Sequence, residues 1–209
     1  MIIESIPTAY PAGNCWLCYD EASRHAALVD PPAPADAVDA VLRERDLHLD
    51  VILLTHGHFD HIFGVDALRD RYGVPAAIHE ADADMLGDPM KNASMLFFGE
   101  RHVYRPADML LRDGDENFVG TSVIRVMHTP GHSPGSVCYC MGKDCITGDT
   151  LFRESIGRTD LPGGDWETMC RTLDSLGDWS ERIRIYPGHG ESSGMAHEKK
   201  YNPYLQRRK

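Results

Sequence analysis

Three imidazoles and one carboxylate fall within six positions in the run Thr55-His56-Gly57-His58-Phe59-Asp60-His61. Neutral imidazole is the commonest protein ligand for a metal ion, and a carboxylate beside it adds a hard anionic oxygen. Six positions of loop cannot easily place all four groups on one ion. His56 and His58 can pinch one metal, and Asp60 with His61 can pinch a second. A polar surface turn that happens to be rich in histidine is the competing reading, and the matching ligands elsewhere in the chain disfavour it.

Strands are needed to position these groups. Val51-Ile52-Leu53-Leu54 is short, apolar and free of Gly and Pro, so it reads as a buried strand with the histidine cluster in the turn at its end. Three further strand-like runs end alike. Thr121–Met127 leads to His132, Cys145–Thr147 to Asp149 and Ile183–Tyr186 to His189, each with a Gly beside the ligand-type residue. Ligand sites in α/β sheets lie at the carboxyl ends of strands, so four such ends are expected to converge on one sheet edge. The ligand arithmetic then closes. His56, His58 and His132 can bind a first metal, and Asp60, His61 and His189 a second. Asp149 is left over, with two oxygens able to bridge both ions. Each ion keeps room for a shared water, which is what separates a catalytic site from a closed structural one. Zinc suits this set, and iron or manganese would fit it as well.

The remaining chain reads as elements that carry these loops. Ile2 to Val29 forms a strand meander with turns at Pro11-Ala12-Gly13-Asn14 and Asp20-Glu21, broken by Asp30-Pro31-Pro32. Helices are expected over Asp36–Arg45, over Gly64–Tyr72 with Gly73 as its stop, and from an Asp165 N-cap to Gly177. Val74–Ile78 reads as a strand, and Ser136–Met141 with Asp144–Thr147 as a hairpin around Gly142-Lys143. The stretch Glu80 to Asp108 is rich in Met and Phe. It serves either as an apolar lid or substrate wall, or as a short helix and loop that pack locally. The basic tail from Glu198 to Lys209 is expected to be a short surface helix. The histidines His25, His48, His79, His102 and His197 lack a ligand-rich context and are read as solvated or packed, whereas His128 could support a ligand from behind.

Composition bounds the rest. Of the 209 residues, 42% are hydrophobic and 25% charged, an ordinary globular composition, and one domain over 1–209 is expected. The formal net charge of −11 argues against a nucleic-acid backbone as partner. No signal peptide or membrane span is evident, and the six cysteines are read as buried reduced thiols. A cytoplasmic monomer or small homo-oligomer is therefore expected, with no nucleic-acid or membrane partner.

The Thr-His-x-His-x-Asp-His motif at 55–61, Thr129-Pro130-Gly131-His132, Gly148-Asp149-Thr150-Leu151-Phe152 and Pro187-Gly188-His189 resemble the metallo-beta-lactamase superfamily, in particular its glyoxalase II-like branch. The resemblance covers nearly the whole chain in order. It implies an α/β fold, a four-layer αββα sandwich, with a dinuclear site between two sheets and the ligands assigned as above. It also implies hydrolysis of a small-molecule thioester such as S-lactoylglutathione. Full-length hydroxyacylglutathione hydrolases add a C-terminal helical region that helps hold glutathione. Only about twenty residues follow His189 here, so that region is expected to be missing. Ser155-Ile156-Gly157-Arg158-Thr159-Asp160 resembles the short, single-domain members, in which a basic residue at the position of Arg158 reaches the thiol portion of the substrate. The early turn reads Asp30-Pro31-Pro32 where the family more often has a Gly.

The chemistry this implies is attack on the thioester carbonyl by a hydroxide shared between the metals, whose water precursor ionises near pH 7 when bound. Asp60 is expected to be both ligand and orienter of that nucleophile. Arg158 is expected to bind a substrate carboxylate, or else to pair with Asp160 or Asp165. A glutathione persulfide dioxygenase with a single iron at His56, His132 and Asp149 is the main alternative, since such enzymes share Gly157-Arg158-Thr159-Asp160. Lactone hydrolysis is a further one. β-Lactam hydrolysis is disfavoured, because true β-lactamases lack the bridging carboxylate that Asp149 would supply. RNA processing would need basic surfaces, and a non-catalytic metal-binding module would not need an open position. Asp149→Ala is expected to lose both metals together, which metal analysis of the purified variant checks; a variant retaining two ions would contradict the bridging role.

Overall fold

The computed structural model describes residues 1–7, 13–31 and 35–206. Pro11 and Ala12 of the first expected turn, Pro32, and residues 207–209 of the tail lie outside them. Side-chain alternation decides the architecture. In β2 (Cys15–Tyr19), Cys15, Leu17 and Tyr19 join one core, and Trp16 and Cys18 join another. In β3 (His25–Val29), Ala26 and Leu28 face the first core, and Ala27 and Val29 the second. A strand apolar on both faces must be covered on both faces, and these strands are.

The first sheet runs β1 (Ile2–Ile6), β2, β3, β4 (His48–Leu53), β5 (Ala76–His79), β6 (Met109–Leu111). Its first three strands are antiparallel, and β3 to β6 are parallel. The second sheet contains β7 (Glu116–Val119), β8 (Ser122–His128), β9 (Val137–Met141), β10 (Asp144–Gly148), β11 (Arg184–Pro187) and β12 (Ser193–Gly194), also neighbours in chain order. Only β10 and β11 are parallel within it.

Three cores glue four layers. Between the sheets, Trp16, Val29, Val51 and Leu53 meet Val119, Ile124, Val126, Tyr139 and Ile146. On the outer face of the first sheet, Leu17, Leu28 and Ile52 pack on Val38 and Leu42 of α1 (Ala35–Glu44) and on Val65 and Leu68 of α3 (Val65–Tyr72). On the outer face of the second, Ile185 packs with Met169, Leu173 and Leu176 of α5 (Trp166–Leu176) and Met195 of α6 (Met195–Tyr201). This is the αββα sandwich. Among the described residues no helix is long and apolar enough to cross a membrane.

Several sequence expectations shift. Pairing with β3 extends β4 back to His48, because His25 and His48 are direct partners. The histidine cluster is not all turn: Phe59–Ile62 forms one helical turn, α2. β6 and β7 lack the long apolar runs that would announce them. Glu80–Met85 is a 3-10 helix and Ser94–Phe98 a short helix, α4, so the Met/Phe-rich stretch has local structure. The tail helix starts earlier, and it is not a surface helix throughout, since Met195 and Glu198 are buried. The Glu198 carboxylate accepts from Glu154 N at 2.8 Å and Asn202 Nδ2 at 3.0 Å. The thiols also need correction. Cys140 and Cys145 are cross-strand partners in the β9–β10 hairpin and form a disulfide, whereas Cys15, Cys18 and Cys138 are free and buried. Asp165 and Gly73 cap their helices as expected, Asp165 Oδ1 accepting from Thr168 N at 2.7 Å and Gly73 adopting φ 66°.

At the end away from the ligand loops, Asp20 joins the sheets. Its Oδ2 accepts from Thr121 Oγ1 at 2.7 Å and Thr121 N at 3.0 Å, and its Oδ1 accepts from Ala22 N at 3.0 Å. These donors, the Thr121 hydroxyl foremost, hold the Asp20 carboxyl well below the usual carboxylate range. A carboxylate with a depressed native pKa stabilises the fold above its unfolded pKa of about 4 and loses that effect as pH falls. Asp20→Asn should therefore lower Tm at neutral pH, with the difference from wild type shrinking below about pH 4; thermal melts across that range check this.

Candidate metal centre

The chain leaves β4 into the seam between the sheets. Tyr139 Oη of the second sheet donates to Leu54 O at 2.8 Å, and Val137 N donates to Thr55 O at 2.9 Å. His56 and His58 follow at once, and α2 then carries Asp60 and His61. His132 sits in the loop joining β8 to β9. Asp149 and His189 leave the ends of the parallel neighbours β10 and β11, whose register sets Gly148 beside Pro187. A Cβ at Gly188 would collide with Asp149 Oδ1, so only glycine lets those two chain ends lie this close. Asn14 secures the last loop, donating from N to Gly188 O at 2.6 Å and from Nδ2 to Pro187 O at 3.0 Å.

All seven predicted ligand-type residues meet. His132 Nε2 lies 2.8 Å from His58 Nδ1 and 3.2 Å from His56 Nε2. His189 Nε2 lies 3.3 Å from His61 Nε2 and 3.2 Å from Asp60 Oδ2. These are the two donor groups expected from spacing, His56/His58/His132 and Asp60/His61/His189, each compact enough to surround one ion. Asp149 spans them: Oδ1 is 3.4 Å from His61 Nε2, while Oδ2 is 3.5 Å from His132 Nε2 and 3.6 Å from His189 Nε2.

Hydrogen bonds at the far ring nitrogens set the tautomers. Thr55 Oγ1 donates to Asp30 Oδ2 at 2.5 Å, which leaves it to accept from His56 Nδ1 at 3.1 Å. Asp30 Oδ2 also accepts from His61 Nδ1 at 3.1 Å, and Arg158 O accepts from His132 Nδ1 at 2.7 Å. In the neutral form of each ring the Nε2 lone pair is thereby turned to the centre, and at His61 an ion would have to displace the second proton. Burial, and then the neighbouring imidazoles, push His56 and His58 well below the ordinary histidine value. Burial pulls His61 down as well, but Asp149, Asp60 and Asp30 outweigh it and lift His61 to about 10. Burial raises Asp60, yet His61 and His189 outweigh that and hold its carboxyl below the usual range.

These residues fit a pair of divalent ions. Lone pairs of His56 and His132 face one another without a proton between them, and Asp149 Oδ1 is buried with no hydrogen-bond partner among the described residues. A cation relieves both.

Above the donors opens a cavity of about 480 Å³. Phe59, Phe97, Phe98, Phe152, Ile156 and Leu161 wall it, so the stretch between β5 and β6 contributes to the substrate side through α4. Arg158 also lines it, but its guanidinium is held by both oxygens of Asp160, at 2.6 and 2.7 Å. Asp165 is committed to its helix cap. His128 does not back a ligand ring; it stacks on His79 with centroids 4.0 Å apart and bonds Pro134 O at 2.8 Å.

Two functional carboxylates escaped the sequence reading. Asp30 is one. Asp82 is the other: fully buried, it accepts from Gly57 N at 3.2 Å and Ser133 Oγ at 2.6 Å on Oδ2, and from Gly135 N at 2.5 Å on Oδ1. It thus staples the His56–His58 loop to the His132 loop. Burial raises its pKa against the pull of these donors. A lone Asp gives no sequence signal of this kind. The one hint for Asp30 is its place at the end of a strand beside the strand that carries the histidines.

An αββα sandwich with paired His and Asp donors at its seam defines a metallo-hydrolase type of protein. The chain belongs to the metallo-beta-lactamase superfamily, whose profile matches residues 11–194. It is 32% identical over 209 residues to hydroxyacylglutathione hydrolase GloC of Haemophilus influenzae, covering 98% of each chain. Among solved structures it resembles BLEG-1 B3 metallo-beta-lactamase, with TM-score 0.91, 36% identity and 98% and 99% of the two chains covered. It also resembles ETHE1 from Myxococcus xanthus, with TM-score 0.78, 30% identity and 97% and 84% covered.

Outer partners of metal-binding histidines typically carry 10–100-fold in metal affinity. Asp30→Asn should weaken metal binding by about that factor, and Asp82→Ala should do so selectively at the His56/His58/His132 group. Competition with a coloured chelator, resolving two binding steps, checks both.

Proposed function

We propose that this chain is a dinuclear metal-dependent thioesterase of the hydroxyacylglutathione hydrolase-like type. In this reading His56, His58 and His132 would hold one ion, Asp60, His61 and His189 would hold the other, and Asp149 would be shared between them. Zinc is the proposed metal, with iron or manganese also suited to the donors. The observation that carries the proposal is Asp149, whose carboxylate lies within 3.6 Å of donors from both groups beneath an open cavity. When bound, the ions would polarise a carbonyl and let a water ionise near neutral pH.

The chain's own residues supply the rest. Asp60 stays ionised and can accept a hydrogen bond from the attacking water, fixing its orientation. Phe59, Phe97 and Phe98 form one apolar wall, with Phe59 5.3 Å and 4.9 Å from the other two ring centroids. That wall keeps bulk water off the scissile group and packs on the substrate's carbon chain. Arg158 offers a guanidinium to a substrate carboxylate, which must compete with Asp160 for it. A thiolate leaves without needing a strong acid, which suits a cavity whose only lysine or arginine among the described lining residues is Arg158.

The similarity to GloC over nearly the full length of both chains supports the thioester reading. The run Gly157-Arg158-Thr159-Asp160 supports a second one, the single-iron persulfide dioxygenase. The proposed setting is a single domain, cytoplasmic, as a monomer or small homo-oligomer, acting on a small molecule.

Zinc-loaded protein should release thiol rapidly from S-lactoylglutathione. Asp149→Ala should fall by more than the roughly 100-fold that an outer-partner change can cost, and Arg158→Ala should raise KM more than it lowers kcat. No release from protein that holds two metals would overturn the thioesterase. Oxygen uptake with glutathione persulfide on iron-loaded protein would then establish the dioxygenase. A β-lactam belongs in the same panel because of the similarity to BLEG-1, and its turnover should be far slower than the thioester's.

A further inference from the structure

A third set of metal-type donors lies at the opposite ends of the strands. β3 and β4 begin with His25 and His48, which are direct partners in the parallel register. Partners on adjacent strands share a face, and the two rings stand edge to face with centroids 5.4 Å apart. One step further the register shifts. Ala26 pairs with Leu49 but Ala27 pairs with Val51, so Asp50 is the extra residue of a bulge. A bulge re-aims its extra side chain. Here the Asp50 carboxylate turns to both histidines, with Oδ1 2.8 Å from His25 Nδ1 and 3.6 Å from His48 Nε2. One donor atom from each of the three residues lies within 4.8 Å of the other two.

We propose that His25, His48 and Asp50 form a peripheral site for a borderline transition-metal dication, Zn(II), Ni(II) or Cu(II). Two imidazoles and one carboxylate select such ions over magnesium or calcium, which prefer all-oxygen sets. Ligands 2.0–2.1 Å from a tetrahedral ion stand about 3.3 Å apart. The Asp50–His48 separation is close to that already. The shorter Asp50–His25 contact is a hydrogen bond that opens when the ion displaces the His25 proton to solvent. Side-chain exposures of 42% for His25, 74% for His48 and 25% for Asp50 leave the ion's remaining positions open to water. The chain's net charge of −11 favours cations over anions in general. The ion would clamp β3 to β4 where their ladder is interrupted. It would sit roughly 20 Å along β4 from the centre between the sheets, since a strand rises about 3.3 Å per residue.

The test compares proteins whose centre is already zinc-loaded, so it reads a difference and does not depend on how many ions that centre holds. After equilibration in micromolar zinc and gel filtration, wild type should carry one more equivalent per chain than His48→Ala or Asp50→Asn. Cu(II) added to the zinc-loaded wild type should show nitrogen hyperfine splitting from two imidazoles by electron paramagnetic resonance, reduced to one in His48→Ala. His48 is mostly exposed, so its loss leaves the fold intact, which circular dichroism verifies. Equal metal content in wild type and His48→Ala, or identical copper spectra, would overturn the proposal.

Discussion

The centre depends on one buried carboxylate. Asp30 is 1% exposed and accepts from Thr55 N, from the Thr55 hydroxyl and from His61 Nδ1. A buried charge is tolerable only when its lone pairs are matched by donors, and these three meet that need. In return Asp30 sets the tautomer of His61 directly and that of His56 through Thr55. Its backbone adopts φ 49°, a conformation that costs a non-glycine residue of order 1–3 kcal/mol and survives only where neighbours enforce it. The enforcement comes from the parallel pairing of β3 and β4, which brings the end of one strand against the first residue past the other.

The sandwich gives that carboxylate its place. Residues of β2, β3 and β4 alternate between the outer helical core and the core between the sheets, so neither face of the first sheet is free to slide. Strand ends from both sheets then open onto one seam. Asp82 and Tyr139 both bind the seam, Asp82 holding two ligand loops together and Tyr139 tying the end of β4 to the second sheet. Gly188 completes it by allowing Asp149 and His189 to approach. The donors are therefore held by backbone and buried hydrogen bonds rather than by their own flexible torsions, which is what a preorganised metal site needs.

The substrate side is built differently. Its wall comes from Phe59 of α2, Phe97 and Phe98 of α4, and Phe152, Ile156 and Leu161 between β10 and α5, and the Arg158 guanidinium that also lines it is already engaged by Asp160. Proteins with this frame but different names, GloC and BLEG-1 among them, share the scaffold. A fold hosts many chemistries, so selectivity must reside in such lining residues. In this chain those lining residues include Phe59, Phe97, Phe98 and an Arg158 paired with Asp160.

By itself the sequence determined the donors and the order of the strands that present them. His56, His58, Asp60 and His61 are contiguous, and His132, Asp149 and His189 each follow an apolar run, so their chemistry is visible at short range. Long amphipathic helices such as α5, with its Asp165 cap, are legible for the same reason. Tertiary structure alone decided what depends on register and on distant partners. Asp30 and Asp82 are single carboxylates whose roles exist only once three separate segments donate to them. β6 and β7 are short strands whose identity comes from neighbours. Cys140 and Cys145 became a pair because hairpin register sets them opposite one another. His25, His48 and Asp50 came together through a parallel pairing and a bulge, neither of which leaves a pattern in the chain. Local periodicity reports which face of an element is buried; it carries no information about which distant residue meets it there.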